Sequence, residues 1–366
     1  MDYRVENLAK LMIQHSVKVQ PGERVAVLGS TLAEPLMLAL QREILRAGGH
    51  PQLLPSFPGS EYIFFHEAND EQLQYISPQV RAVYEEFECL IQLFSSANTK
   101  SLNNIDPSRH TVLAKARADL MKRYMERSAR KELKWVVTMF PTEAHAQDAE
   151  MSLSEYEDFV YGTTFADSDD PIGKWSALRD EQQRLVEWLA GKEQVVVSGP
   201  HVDLRLSIAG RAFLNEAGEY NLPDGEIFTS PVEDSMEGTI RFTYPAIQSG
   251  REVEGIELRF EAGRVVEASA RKNETFLLEM LEVDDGARVP GEFAIGTNQR
   301  IDRFTKNILF DEKMGGTIHI ALGAGFEEIG GKNVSGLHWD MICDMREGGR
   351  IMVDDELFYD SGDFKV

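Results

Sequence analysis

The sequence predicts an α/β protein: an N-terminal α/β domain built on a mostly parallel sheet, followed by a C-terminal mixed α+β domain. Three observations predict it. Helix and strand signals alternate over roughly the first 120 residues. The stretch from 150 to 190 then reads as helical and polar. From Gln194 onward short β-rich runs separated by glycine-containing turns take over, which sets a boundary near 190–195 and domains of residues 1–192 and 193–366.

The N-terminal elements follow in order. Leu8, Leu11, Met12 and Val17 mark an opening helix. Gln20-Pro-Gly-Glu23 is a turn, and Arg24 to Leu28 reads as a buried strand. Pro35 to Ala47 fits an amphipathic helix stopped by Gly48-Gly49. Pro51 to Leu54 begins a second strand, and a helix-rich acidic stretch leads to strands at Cys89–Phe94 and Trp135–Phe140. Trp175 and Trp188 are packing anchors of the helical stretch. Beyond the boundary, Val195–Ser198, Leu204–Ile208, Gly238–Tyr244 and Ile256–Phe260 read as strands.

Composition bounds the function. Against 38 basic residues stand 61 acidic ones, a formal net charge of -23, which repels phosphate backbones and anionic membranes and suits cations. The sequence therefore predicts neither a nucleic-acid nor a membrane partner. The start of the chain lacks a basic segment followed by an apolar run, and no stretch nears the roughly 20 apolar residues of a membrane helix, so the expected location is the cytoplasm. Cys89 and Cys343 imply no disulfide framework and lie in no CxxC. Gly29 follows a strand, but neither GxGxxG nor GxxxxGK[ST] is present. GxSxG and HExxH are also absent, which argues against covalent hydrolysis and against a helix-borne zinc protease.

Residues able to carry chemistry gather in the C-terminal half. His338-Trp-Asp340 is an HxD, and on an extended chain positions i and i+2 share a face, so an imidazole and a carboxylate converge. Alone this is weak, since an isolated HxD is commonly structural. His319 lies in the apolar run Gly316–Gly323, where it is either a satisfied core histidine or a ligand. Glu226 and Glu292 each follow a Pro/Gly turn and open an apolar run. A solvated turn glutamate explains either one singly, but two copies of the arrangement suit carboxylates presented at a cleft. Glu312, in Asp311-Glu-Lys313, belongs to a charged loop or serves as ligand or general base. Gly323-Ala-Gly325 and Gly330-Gly331 loosen the chain between the histidines, with Asn333 and Ser335 just before His338. Two histidines and several carboxylates fit two divalent cations sharing a bridging carboxylate, a pair that acidifies water and polarises a carbonyl.

The segments Asn221 to Pro231, Gly291-Glu292 with Gly296 to Asn298, His319 to Gly323 and Gly330 to Met341 together resemble the aminopeptidase T/aminopeptidase S family of metal-dependent aminopeptidases. The likeness reaches back to Val19–Gly22 and Pro141-Thr142. It implies a homodimer that removes N-terminal residues from short peptides with a free N-terminus, using two divalent ions such as zinc, cobalt or manganese. By motif it implies the ligands Glu226, Glu292, His319, His338 and Asp340, with Glu292 as the bridge, and an acid near the metals at Glu312. The catalytic residues expected from it are Glu292 and Glu312. One position departs: the family commonly places a tyrosine seven residues after the first histidine, and this chain has Phe326, leaving Tyr244 or Tyr359 as spatial substitutes. The alternative is a mononuclear iron(II) ring-cleaving dioxygenase of the related dihydroxypyridine type, held by His319, His338 and Asp340. Such a site has no need of Glu226 and Glu292.

Overall fold

The computed structural model describes residues 2–248 and 250–366. The chain divides into two compact units, Met1–Lys174 with Gly218–Pro223, and Trp175–Ala217 with Asp224–Val366.

The first unit is an α/β layer. Its sheet runs in the order His50–Ser56, Arg24–Ser30, Cys89–Phe94, Lys134–Met139 and Asn221–Leu222, every neighbouring pair parallel. Parallel strands need crossover connections, and helices supply them. Glu34–Arg46 links the first two strands, with Pro35 in its first turn and Leu36, Leu40 and Ile44 on one buried stripe. Gly48, at φ +81°, ends it as the doubled glycine predicts. The 23-residue helix Pro107–Ala129, capped by Asp106, joins the third strand to the fourth. Val25, Ala26 and Val27 are fully buried, the continuous apolar run expected of a strand covered on both faces. The fifth strand is a surprise in sequence terms: two residues, Asn221 and Leu222, return from far along the chain to pair with Val137 and Thr138.

The second unit packs antiparallel sheets around one core. An eight-stranded sheet includes Gln194–Gly199, Val202–Ser207, Glu237–Arg241, Glu257–Glu261, Arg350–Val353 and Glu356–Asp360. A five-stranded sheet runs His338–Asp344, Thr317–Gly323, Pro290–Gly296, Glu226–Thr229, Leu214–Glu216. Alternate residues of both fill the core: Val195, Val197, Leu204, Leu206 and Ile351 from the first, Ile227, Phe293, Ile295, Ile318, Ile320, Leu322, Trp339 and Met341 from the second. Trp175 is fully buried, and Trp188 stacks on Phe358 at 5.1 Å, so both anchor as expected. Cys89 and Cys343 are free and buried. Among the described residues no helix is long and apolar enough to cross a membrane.

Candidate metal centre

The five-stranded sheet turns one face to the core, and the period of two hands the other face to a different set of residues. Ile227, Phe293, Ile295, Ile318, Ile320, Trp339 and Met341 point into the core. The intervening positions are Glu226, Glu292, Ala294, His319, Ala321, His338 and Asp340. Register then decides which of these meet. Ala321 pairs with Glu292 on one side and Asp340 on the other, Ala294 pairs with His319, Gly296 with Glu226, and Gly323 with His338. The polar side chains therefore lie on a diagonal across four strands, with the small side chains of Ala294 and Ala321 between them.

The geometry is close. Glu292 Oε1 is 3.5 Å from His319 Nε2, and its Oε2 is 3.3 Å from His338 Nε2. Glu226 Oε2 lies 3.5 Å from His319 Nε2, and Asp340 Oδ1 lies 3.5 Å from His338 Nε2. Three groups of ligand atoms gather within 4.8 Å of one another: Glu226, Glu292 and His319; Glu292, His338 and Asp340; and Glu312, His319 and Asp340. Every sequence-predicted site residue is thus in one cluster. Glu312 sits at the C-cap of the short helix Ile308–Asp311, with its side chain 18% exposed. It does not belong to a solvated loop, because its neighbours Asp311 and Lys313 are buried.

Local structure fixes these side chains. Gly225 has φ +122°, and a Cβ there would come within 2.7 Å of Asn298 Cβ, so only glycine delivers Glu226 at this point. The amide of Gln182, buried on the helix Pro171–Leu189, donates to the Glu226 carbonyl at 2.6 Å and to the Glu216 carbonyl at 2.9 Å. His338 Nδ1 donates to the Ala324 carbonyl at 3.1 Å, which turns Nε2 toward Glu292 and Asp340. Asn333 donates to the carbonyls of Gly286 and Gly323, and Asp284 accepts from Ser335 Oγ and the Gly336 amide, so the glycine-rich segment before His338 is pinned.

Electrostatics follow from burial and crowding. Burial pushes the Glu226 carboxyl up to about 8, against the pull of Lys313 and His319. Burial also raises Glu312, with Asp340 adding to it. Burial opposes ionisation of Asp340, yet His338 brings it down to about 2. Glu292 is likewise lowered, its bonds to His319 and His338 outweighing burial. His319 rises to about 9 despite burial, through Glu292 and Glu226. The pattern is that of an acidic cluster seeking positive charge. A divalent ion and a proton compete for the same imidazole nitrogen.

The donor set fits metal ions. Among the described residues Glu226 Oε2, which is buried, has no hydrogen-bond partner, an expensive state for a carboxylate oxygen and a suitable one for a ligand. Mixed imidazole and carboxylate donors suit zinc, cobalt or manganese. The convergence of Glu226 and Glu292 with both histidines exceeds what a two-histidine, one-carboxylate iron face requires, so the ring-cleavage reading is not favoured.

Two residues of the centre escape sequence reading. Lys313 is fully buried, its Nζ 3.2 Å from Glu226 Oε1 and hydrogen-bonded to Glu312 Oε1. Its one signal is a lysine separated by Met314 alone from a glycine pair and a buried strand, where a solvated loop would be longer. Gln182 carries no signal at all, being one polar residue on a polar helix. Phe326 packs edge-on to His338, ring centroids 5.6 Å apart, and against Phe228 at 4.9 Å. Tyr244 is not a substitute for the missing tyrosine: its hydroxyl donates to Asp344 at 3.0 Å and accepts from Arg346 at 2.7 Å. Tyr359 is committed to the core of the second unit.

Comparison with known proteins agrees with this chemistry. Residues 1–364 match the family described as thermophilic metalloprotease (M29). "Aminopeptidase 2" of Geobacillus stearothermophilus is 28% identical over 347 residues, spanning 88% of this chain and 84% of its own. "Aminopeptidase T" of Thermus thermophilus is 30% identical over 253 residues, spanning 64% of this chain and 62% of its own. The solved structure of wild-type AmpT from Thermus thermophilus superposes with a TM-score of 0.87 over 99% of both chains at 24% identity, and so shares the fold.

Proposed function

The chain belongs to the thermophilic metalloprotease (M29) family, and we propose that it is a cytoplasmic metallo-aminopeptidase that removes N-terminal residues from short peptides using two divalent cations. In this reading the catalytic domain is residues 193–366, all but Gly218–Pro223 of them in the second unit, and the N-terminal α/β domain is residues 1–192, of which the stretch from Trp175 also belongs to the second unit. One ion would be held by Glu226, Glu292 and His319, the other by Glu292, His338 and Asp340. The observation that carries the proposal is the position of Glu292, whose two oxygens face different histidines at 3.5 and 3.3 Å. A carboxylate so placed is suited to bridging. The names of the relatives, aminopeptidases all, support exopeptidase activity.

When bound, the cations supply an acidified water and a polarised scissile carbonyl. The chain's own residues do the rest. Glu292 would offer one oxygen to each position. Glu312, raised by burial, accepts a proton within reach of His319 and Asp340 and can return it to the leaving amine. His338, whose side chain is 35% exposed, marks the open side of the cluster, and Phe326 beside it offers an apolar wall. An ammonium-bearing peptide end meets a strongly acidic chain, which favours its approach and disfavours nucleic acid and anionic membranes. The active species is a homodimer in this reading, checked by light scattering at micromolar concentration.

The deciding experiment pairs metal analysis with a substrate comparison. Protein purified without chelators is expected to carry two ions of zinc, cobalt or manganese and to cleave a free-amine peptide but not its N-acetylated form. Equal cleavage of the two peptides refutes the exopeptidase reading, and a single bound iron refutes the two-ion reading.

A further inference from the structure

Lys313 is a fully buried cation standing against two acids of the centre. Its Nζ is 3.2 Å from Glu226 Oε1 and donates to Glu312 Oε1. The backbone beneath it is fixed: its amide donates to the Phe310 carbonyl at 3.1 Å, and its carbonyl accepts from the Asn298 amide at 3.2 Å. The space behind is closed, because a Cβ on Gly296 would lie 2.1 Å from the Met314 carbonyl oxygen and 3.0 Å from the Lys313 carbonyl carbon. The ammonium is therefore anchored from its own main chain outward. Glu226, by contrast, has one oxygen on Lys313 and the other, Oε2, without a hydrogen-bond partner among the described residues, 3.5 Å from His319 Nε2.

We infer that Lys313 is a positioning residue that ties down one oxygen each of Glu226 and Glu312, so that Glu226 offers a single oxygen to a cation held with His319. The inference rests on the two-ion reading above. Charge supports it as well. Glu226, Glu292, Glu312 and Asp340 carry four negative charges, which two divalent ions would cancel in full. With Lys313 and the buried Asp224 beside it included, the sum is close to neutral, so the centre does not repel an anionic nucleophile or the anionic transition state of amide hydrolysis. A purely structural lysine would do no more than neutralise a buried acid.

The test uses the full-length protein and cobalt(II) as the probe. For Lys313→Met, isothermal titration is expected to show one of two cobalt sites weakened by roughly 10- to 100-fold, the range for loss of a residue that orients a ligand. The visible absorption of that site should change as Glu226 alters its coordination, and kcat should fall with KM nearly unchanged. Wild-type cobalt affinities and spectrum in this variant overturn the inference while leaving the two-ion reading intact. Failure of the wild-type chain to take up two cobalt ions overturns the reading itself. If Lys313→Met does not fold, the double variant Lys313→Met with Glu312→Gln removes both buried charges and Glu226 still lacks its partner. Measured against Glu312→Gln alone, a further weakened and spectrally altered site there supports the positioning role; affinity and spectrum equal to those of Glu312→Gln alone show that Lys313 only balances charge.

Discussion

Replacing Glu292 by glutamine changes one atom type at the middle of the cluster and leaves the volume alone. In the cation-free protein the change is expected to be tolerated. Breaking a buried ion pair normally costs about 3–5 kcal/mol because a charge is stranded. Here His319 keeps Glu226 and His338 keeps Asp340 as partners, so no charge is stranded, and one of four crowded carboxylates is removed. Metal binding responds in the opposite direction, since each candidate ion loses an anionic ligand. If affinity at one site falls about 100-fold, an ion present at 100 times the wild-type Kd, which stabilises the wild type by about 2.7 kcal/mol, stabilises the variant by about 0.4 kcal/mol. Differential scanning calorimetry with and without added zinc, beside turnover of a free-amine peptide, measures both effects. The expected result is an unchanged or slightly higher melting temperature without metal, a metal-induced shift reduced to a small fraction, and turnover lost. Wild-type turnover with two ions bound, or an undiminished metal-induced shift, refutes the bridging assignment.

Three further outcomes are expected. Chelation should abolish activity, and cobalt, zinc or manganese should each restore it, because imidazole and carboxylate donors discriminate weakly among them; activity that survives complete metal removal contradicts the proposal. Burial pushes both thiols, Cys89 and Cys343, up to about 12, so a thiol reagent at pH 8 should label neither in the native protein and both after denaturation. Rapid native labelling would show that these strands open. Ala321→Val should weaken metal binding at least about tenfold, by crowding the space between Glu292 and Asp340, at a stability cost of about 1–3 kcal/mol; equilibrium dialysis that finds unchanged affinity would show that the small side chain at 321 is not needed there.

Much of the fold was legible because its strands are long and regular. Cys89–Phe94 matches its predicted span, and Arg24–Leu28, Pro51–Leu54 and Trp135–Phe140 lie in or within a residue of observed strands. The strand Asn221–Leu222 was not legible, since two residues carry no periodicity and their partners lie more than eighty positions away. The HxD was readable on the assumption of an extended chain, and His338–Asp344 is a strand. Sequence could not reveal how the rows align. Opposing Glu292 to Ala321, and not to Ile320, is a matter of register, and a slip of one residue would turn the glutamate into the core. The irregularity between Pro290 and Glu292 belongs to that same register. The run Asp311-Glu-Lys313 reads locally either as a charged loop or as the seat of a ligand or general base, and the structure buries Asp311 and Lys313. Burial of such a run depends on acids contributed by a strand eighty-odd residues earlier, which no local pattern encodes.

The same sheet answers two opposed requirements. A hydrolytic centre of this composition must hold several carboxylates near one another, which a folded chain resists, and must hold them still. Alternation settles the conflict by splitting each strand's residues between two tasks. Ile227, Phe293, Ile295, Ile318, Ile320, Trp339 and Met341 anchor the strands from one face, while Glu226, Glu292, His319, His338 and Asp340 occupy the other. Burying a side chain such as isoleucine or phenylalanine contributes about 1.5–3 kcal/mol, so the core face far outweighs the strain of a few crowded acids. Main-chain hydrogen bonds then fix the spacing between strands, and the diagonal follows from spacing and register alone. Positive charge enters from outside the sheet, on Lys313, so the acids are partly compensated before any ion arrives. The rigidity of the core face and the repulsion on the site face are therefore coupled. Substitutions at Ile320 or Phe293, which touch no candidate ligand through their side chains, should loosen metal binding as well as lower stability, whereas equal destabilisation placed in the eight-stranded sheet's outer strands should lower stability alone.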